Sequence, residues 1–253
     1  MKMHALSGGR IRMRKSMYFP DAERGETFDA PVSAFLLRHK QGNVLFDSGY
    51  HPSAATDAEA RWGGLAKVMT PVAPPGDDVI EHLHAIGITP EDVDVVVCSH
   101  LHSDHCGCNA FFRKATVICH AKELEAARAA NAAAMGYIPV DWQLPVPFKE
   151  IAGEHDVFGD GRIVLVPVPG HTPGTVAALV QLERSGAFLL ASDSVSVRAM
   201  LDRDVMPKNT WNADVARSSL AEIKRIEVRG ATVLCGHDAA QWATLRKGAD
   251  AYD

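Results

Sequence analysis

The chain lacks the marks of several large classes of protein. No stretch approaches the roughly 18 unbroken apolar residues that a membrane-spanning helix needs. The opening Met1-Lys2-Met3-His4-Ala5-Leu6-Ser7-Gly8-Gly9-Arg10 has no apolar run long enough for a secretory signal. Basic residues are not in excess: 26 Lys and Arg stand against 31 Asp and Glu, a net charge of −5. No basic stripe is visible either, which argues against nucleic acid as the main partner. Cysteines number five, an odd count that builds no disulfide framework and reads as small buried thiols. Internal repeats, low-complexity tracts and Gly/Ser linkers are also missing. Together these absences lead to the expectation of a soluble, cytoplasmic protein that touches neither membrane nor nucleic acid.

What remains is ordinary globular composition, 47% hydrophobic and 23% charged over 253 residues. That length can bury a sizeable core unaided, and residues 1–253 read as one domain. Short apolar runs alternate with turn signals. Ala34–Leu37 and Val44–Phe46 flank Gln41-Gly42-Asn43 as a hairpin. Further strands are expected at 93–98, 116–119, 163–168, 176–182, 187–191 and 231–235. Helical spacing appears from Asp77 to a stop at Gly87, over 121–134, and over 213–228. Residues 50–76 and 135–161 read as irregular. The pattern is an α/β chain of many short strands with helices outside.

Histidine is abundant, with twelve residues. Three of them fall with an aspartate inside His100-Leu101-His102-Ser103-Asp104-His105, directly after an apolar strand. Histidines at i and i+2 on extended chain point the same way, and a following turn brings Asp104 and His105 round to a second point. Imidazole nitrogen and carboxylate oxygen suit zinc, manganese or iron(II). Three more candidates sit at strand ends: His171 in Pro-Gly-His-Thr-Pro-Gly, Asp193 in Ser-Asp, and His237 in Cys-Gly-His-Asp. Each alone is a weak signal. In this order together they make a strong one.

In these motifs, and in the early Asp47-Ser48-Gly49 turn, the chain resembles the metallo-β-lactamase superfamily over nearly its whole length. The N-terminal Leu6-Ser7-Gly8-Gly9 and the two Gly-His loops are most similar to its N-acyl homoserine lactonase branch. The resemblance implies an αβ/βα four-layer sandwich, the metallo-β-lactamase fold. It also implies two divalent metal ions, zinc foremost, with manganese, iron(II) and cobalt(II) as alternatives. His100, His102 and His171 would hold one ion, and Asp104, His105 and His237 the other. Asp193 would bridge them together with a hydroxide that attacks the lactone carbonyl. Asp104 would be the proton shuttle, and Asp47 would orient a ligand histidine or serve only as a turn residue. A small-molecule lactone or ester is the implied partner, and a homodimer the expected assembly.

One departure matters. Lactonases of this branch usually carry a tyrosine three residues after the bridging aspartate; here that residue is Ser196. The metals acting alone, or a different substrate, is the preferred explanation, with Tyr18 or Tyr137 reaching in from a loop as the alternative. Cys106 and Cys108 stand where small residues are commoner. They read as fillers of a tight turn, with soft ligation or oxidation as the rival reading. The substrate pocket is expected from Met17-Tyr18-Phe19, Trp62, Met69, Met135-Gly136-Tyr137, Met200-Leu201 and Met206. Trp211 and Trp242 are expected to pack, His120 to be structural, and the six other histidines (4, 39, 51, 82, 84 and 155) to lie on the surface or on helices. Rival functions are a glyoxalase II-like thioesterase or a catabolic lactonase on the same site. An iron-based sensor and a nuclease are less favoured.

Overall fold

The computed structural model describes residues 1–253. Its first sheet uses β1 (Lys2–Arg14), β2 (Thr27–His39), β3 (Gly42–Phe46), β4 (Met69–Pro71), β5 (Val95–Val97), β6 (Thr116–His120) and β7 (Phe148–Ile151). They lie in the order β4-β1-β2-β3-β5-β6-β7. The second sheet uses β8 (His155–Asp156), β9 (Ile163–Pro167), β10 (Val176–Leu182), β11 (Gly186–Ser192) and β12 (Thr232–Cys235), in the order β12-β11-β10-β9-β8. The expected hairpin is β2–β3, with Phe35 opposite Phe46 and Leu37 opposite Val44.

Side-chain alternation builds the layers. On β2, Phe35 and Leu37 face the second sheet, where they join Leu165, Val176, Val180 and Leu190. Ala34 and Leu36 face the other way, onto Val79, Leu83 and Leu124 of the outer helices. Burying one such large apolar side chain contributes about 1.5–3 kcal/mol, and β2 contributes on both of its faces. The far face of the second sheet receives Leu220, Ile223 and Ile226 of the helix Ala213–Val228, spaced i, i+3, i+6. Asn212 caps that helix by accepting from the amides of Asp214 and Val215, both at 3.1 Å. Asp78 does the same for Val79–Ala85, at 3.0 and 3.1 Å. The result is helix, sheet, sheet, helix, which is the expected αβ/βα sandwich.

Several local expectations need correction. The 121–134 helix stops at Ala127 and resumes only as a 3-10 turn over Ala132–Met135, because the chain bends to pair Tyr137 with His102. The segment 135–161 contains β7 and β8, and 50–76 contains short helices and β4. Strand β1 had not been foreseen. His4 and His39 are buried rather than superficial: His4 Nδ1 faces the Gly248 carbonyl, and His39 pairs with Asp160 at 2.9 Å.

Candidate metal centre

Strands β3, β5, β9, β11 and β12 all deliver their C-terminal ends to one edge of the sandwich, the usual place for chemistry in α/β sheets. Asp47 follows β3, His100 follows β5, His171 follows β9, Asp193 follows β11 and His237 follows β12. The turn Ser103–Cys106 adds Asp104 and His105. All seven residues singled out as metal-binding candidates meet here, and all but the half-buried His102 are buried.

They fall into groups whose donor atoms lie within 4.8 Å of one another: His100, His102 and His171; Asp104, His105 and His237; and His100, His105 and Asp193. Asp193 reaches both sides. Its Oδ2 is 3.4 Å from His171 Nε2, while its Oδ1 is 3.0 Å from His237 Nε2 and 3.5 Å from His105 Nε2. Close approach of the β12 turn requires glycine at 236, since a Cβ there would stand 2.6 Å from Asp193 Oδ1.

Outward hydrogen bonds fix the imidazoles. The Ser99 hydroxyl donates to Asp47 Oδ2 at 2.8 Å, so its oxygen accepts from His100 Nδ1 at 2.9 Å. His105 Nδ1 donates to Asp47 Oδ2 at 2.8 Å, and His237 Nδ1 to the Pro31 carbonyl at 2.8 Å. His102 uses its other nitrogen, Nε2, to donate to the Met135 carbonyl at 2.9 Å. Each of these four rings therefore turns its other nitrogen inward, where it can serve as a ligand once it is free of its proton. His100 Nε2 and Asp193 Oδ1 are buried with no hydrogen-bonding partner, and His102 Nδ1 lies 3.0 Å from His171 Nε2. Ring nitrogens and carboxylate oxygens crowded together this way, two of them with no hydrogen-bonding partner, are satisfied by cations, and their donor types are those of zinc-type sites. The residues present fit divalent metal.

The electrostatics agree. Burial lowers the pKa of His171 to about 3, against the pull of Asp193. Burial and the neighbouring imidazoles push His100 well down. Burial opposes charge on His105 too, but Asp104, Asp47 and Asp193 outweigh it and raise that ring to about 10. Burial likewise opposes ionisation of Asp193, yet the surrounding histidines hold it well below the carboxylate range.

Supporting residues lie one layer out. Asp47 also accepts from the Ser99 amide at 2.7 Å and from the Ser192 hydroxyl at 3.0 Å. Asp47 and Ser192 hold positive φ of 58° and 47°, a strain of order 1–2 kcal/mol each that the shared network offsets. The orienting role suggested for Asp47 is thus the one its geometry supports. Glu123 had not been foreseen. Fully buried, it accepts from the Leu101 amide (3.0 Å), the Gly174 amide (3.0 Å) and the Thr172 hydroxyl (2.6 Å), tying the 100–102 loop to the 171–174 loop. Nothing in an Ala-rich helical segment marks that glutamate in the sequence. Cys106 and Cys108 are buried and belong to no donor group, as turn fillers would be; Cys108 Sγ faces the Tyr50 carbonyl.

A cavity of about 330 Å³ opens over Asp104, His102 and Asp193. Met17, Tyr18, Met69, Met135 and Gly136 line it as expected. Met13, Leu65, Val68, Lys208 and Trp211 line it as well, so Trp211 is not a packing residue. Trp62, Met200 and Leu201 belong to the core instead, with Phe19 and Met206 packed against it. Tyr137 is buried on the far side of His102 with its hydroxyl enclosed, and Ser196 is fully buried with its hydroxyl 3.4 Å from the Asp193 carbonyl.

A four-layer sandwich with five imidazoles and two carboxylates turned inward at its strand ends defines a metalloprotein. The chain belongs to the metallo-β-lactamase superfamily, whose family model matches residues 28–237. Among curated proteins it is similar to the N-acyl homoserine lactonase AttM of Azorhizobium caulinodans, at 30% identity over 100% of this chain and 99% of the relative. It is similar also to the N-acyl homoserine lactonase AttM of Agrobacterium fabrum, at 31% identity over 100% and 98%. Among solved structures it resembles an N-acyl homoserine lactone hydrolase with the product N-hexanoyl-L-homoserine bound at the catalytic metal centre. That likeness has a TM-score of 0.89 at 25% identity, over 99% of this chain and 98% of that one.

Proposed function

We propose that the protein is a dinuclear-metal hydrolase that opens the lactone ring of N-acyl homoserine lactones, with residues 1–253 acting as one catalytic domain. The observation that carries the reading is the Asp193 carboxylate, whose two oxygens face two different imidazole groups at the floor of a largely apolar cavity. His100, His102 and His171 would hold one ion; Asp104, His105 and His237 would hold the other, with Asp193 between them. When bound, a pair of divalent ions, zinc best matching these donors, supplies activated water and carbonyl polarisation at neutral pH. Full-length likeness to the AttM lactonases and to a product-bound hydrolase supports the lactone as substrate.

The chain's own residues do the remaining work. Met13, Met17, Leu65 and Met69 form a wall of flexible apolar side chains that suits an acyl tail. The cavity volume of about 330 Å³ sits at the lower end of small-molecule sites, which favours short and medium tails. Asp104 faces the cavity and can carry a proton from the attacking water to the ring oxygen as the ester C–O bond breaks, giving the open hydroxy acid. Asp47 holds His105 in its inward orientation, and Glu123 holds the loops that carry His102 and His171. Glutathione thioesters fit less well, because Lys208 is the one cationic side chain lining the cavity. Five free, buried thiols suit a reducing cytoplasm, and no helix is long and apolar enough to cross a membrane.

The test is metal analysis together with a substrate panel: C4 to C12 acyl homoserine lactones, simple γ- and δ-lactones, aryl esters and S-lactoylglutathione. The expected result is about two metal equivalents and fastest turnover of an acyl homoserine lactone. Preference for the thioester or the aryl esters would overturn the assignment.

A further inference from the structure

We propose that Tyr18 is a substrate-contacting catalytic residue of this site, its hydroxyl donating a hydrogen bond to the carbonyl oxygen of the scissile ester as negative charge develops there. The inference rests on the lactonase reading given above.

Three observations carry it. The Tyr18 ring is 1% exposed, stacks on His237 at 5.8 Å between centroids with planes 30° apart, and meets the edge of Phe28 at 5.9 Å. A ring clamped on two sides is already placed and needs no reorganisation when charge develops. The same residue lines the cavity together with His102, Asp104 and Asp193, beside the floor where the ester must sit. No protein group takes the Tyr18 hydroxyl as a hydrogen-bond partner, and the Asp193 and Asp104 carboxylates lie near it. A buried phenol normally finds a partner, and an unpaired one that borders a ligand cavity is left with the ligand.

The competing donors do not reach this position. Ser196 is fully buried and turns its hydroxyl to the Asp193 carbonyl. Tyr137 lies behind His102 with its hydroxyl enclosed. Lys208 and Asn209 are exposed rim residues. The phenol transfers no proton: it donates one hydrogen bond throughout, while the water's proton goes to the leaving ring oxygen.

Tyr18→Phe removes the hydroxyl and keeps the stack on His237. The expected result with N-hexanoyl homoserine lactone is a fall in kcat of roughly 10- to 100-fold with KM changed less than about threefold, since one oxyanion donor among several is lost. Bound metal and melting temperature should match the parent, and calorimetry should show weaker binding of the ring-opened product N-hexanoyl-L-homoserine. Ser196→Ala should stay within about twofold of the parent. A kcat for Tyr18→Phe within about twofold of the parent, with metal retained, overturns the inference alone. A parent that opens no lactone overturns the lactonase reading and this inference with it. Should Tyr18→Phe lose metal, the parent's product complex decides. There the Tyr18 oxygen should lie about 2.5–3.0 Å from a product carboxylate oxygen, and a gap above roughly 4 Å would overturn the assignment.

Discussion

Glu123→Gln probes how the site is held rather than what it binds. The glutamate lies fully buried and accepts three hydrogen bonds, from the Leu101 amide, the Gly174 amide and the Thr172 hydroxyl. Glutamine preserves the shape but turns one oxygen into an NH2 group. If the remaining oxygen keeps the Leu101 amide, the NH2 meets the Gly174 amide donor against donor, while the Thr172 hydroxyl can turn to accept from it and donate to Thr175 Oγ1 at 2.6 Å. Glycine at 174 is needed for this approach, because a Cβ there would stand 2.3 Å from the Glu123 nitrogen, so the loop cannot shift inward to compensate. One lost bond, the loss of charge assistance in the others and an unsatisfied buried amide cost about 2–4 kcal/mol. At roughly 2–4 °C per kcal/mol for a chain of this size, the melting temperature should fall by about 4–16 °C. His102 and His171 sit on the two loops so released, and metal affinity should drop about 10- to 100-fold, as when other outer supports of metal ligands are removed. Calorimetric melts with and without chelator, followed by metal titration, measure both. A melting temperature within about 2 °C of the parent and unchanged metal affinity would refute the reasoning.

Other perturbations test other parts of the site. Gly236→Ala places a methyl 2.6 Å from Asp193 Oδ1; bound metal should fall below the parent's in elemental analysis, and parent-level metal would contradict the bridging position. Asp141→Ala strips the partner from Arg61 in a buried ion pair joining the 58–62 helix to the 139–142 helix. It should cost about 3 kcal/mol and widen the gap between the cavity-lining segments, so the melt should shift by roughly 6–12 °C while KM rises more than kcat falls. Metal loading should expel protons. The His105 pKa in the metal-free fold is about 10, above its ordinary value, so that proton stabilises the fold below about pH 6.5 and its contribution is lost as pH rises through about 10. Zinc uptake at pH 7.5 should therefore release about one proton or more, read by calorimetry in buffers of different ionisation heat, and affinity should weaken as pH falls. No proton release would contradict the ligand role of His105.

Local sequence pattern revealed those parts of the structure whose cause is local. Strand β10 and the helix Ala213–Val228 lie where apolar spacing places them, because their burial follows their own periodicity. The metal-site candidates were readable because histidine and aspartate at strand ends have few other reasons to cluster. The 121–134 helix failed in its second half because a distant pairing, Tyr137 with His102, overrides alanine's helix propensity. Strand β1 was hidden by Gly8-Gly9, although Arg10-Ile11-Arg12-Met13-Arg14 alternates with period two and its burial alternates in step. Glu123 and the Arg61–Asp141 pair were invisible for a different reason. A charged residue on a short polar helix looks solvated until the tertiary fold encloses it, and no neighbour in sequence reports that enclosure. Tyr18 was one of two loop tyrosines until the stack on His237 separated it from Tyr137.

The most direct test is anomalous diffraction from crystals grown with zinc, recorded on either side of the zinc edge. Two peaks about 3.5–4 Å apart, one against His100, His102 and His171, the other against Asp104, His105 and His237, with the Asp193 carboxylate between them, is the predicted result. A single peak, or zinc bound elsewhere with these side chains empty, would contradict it.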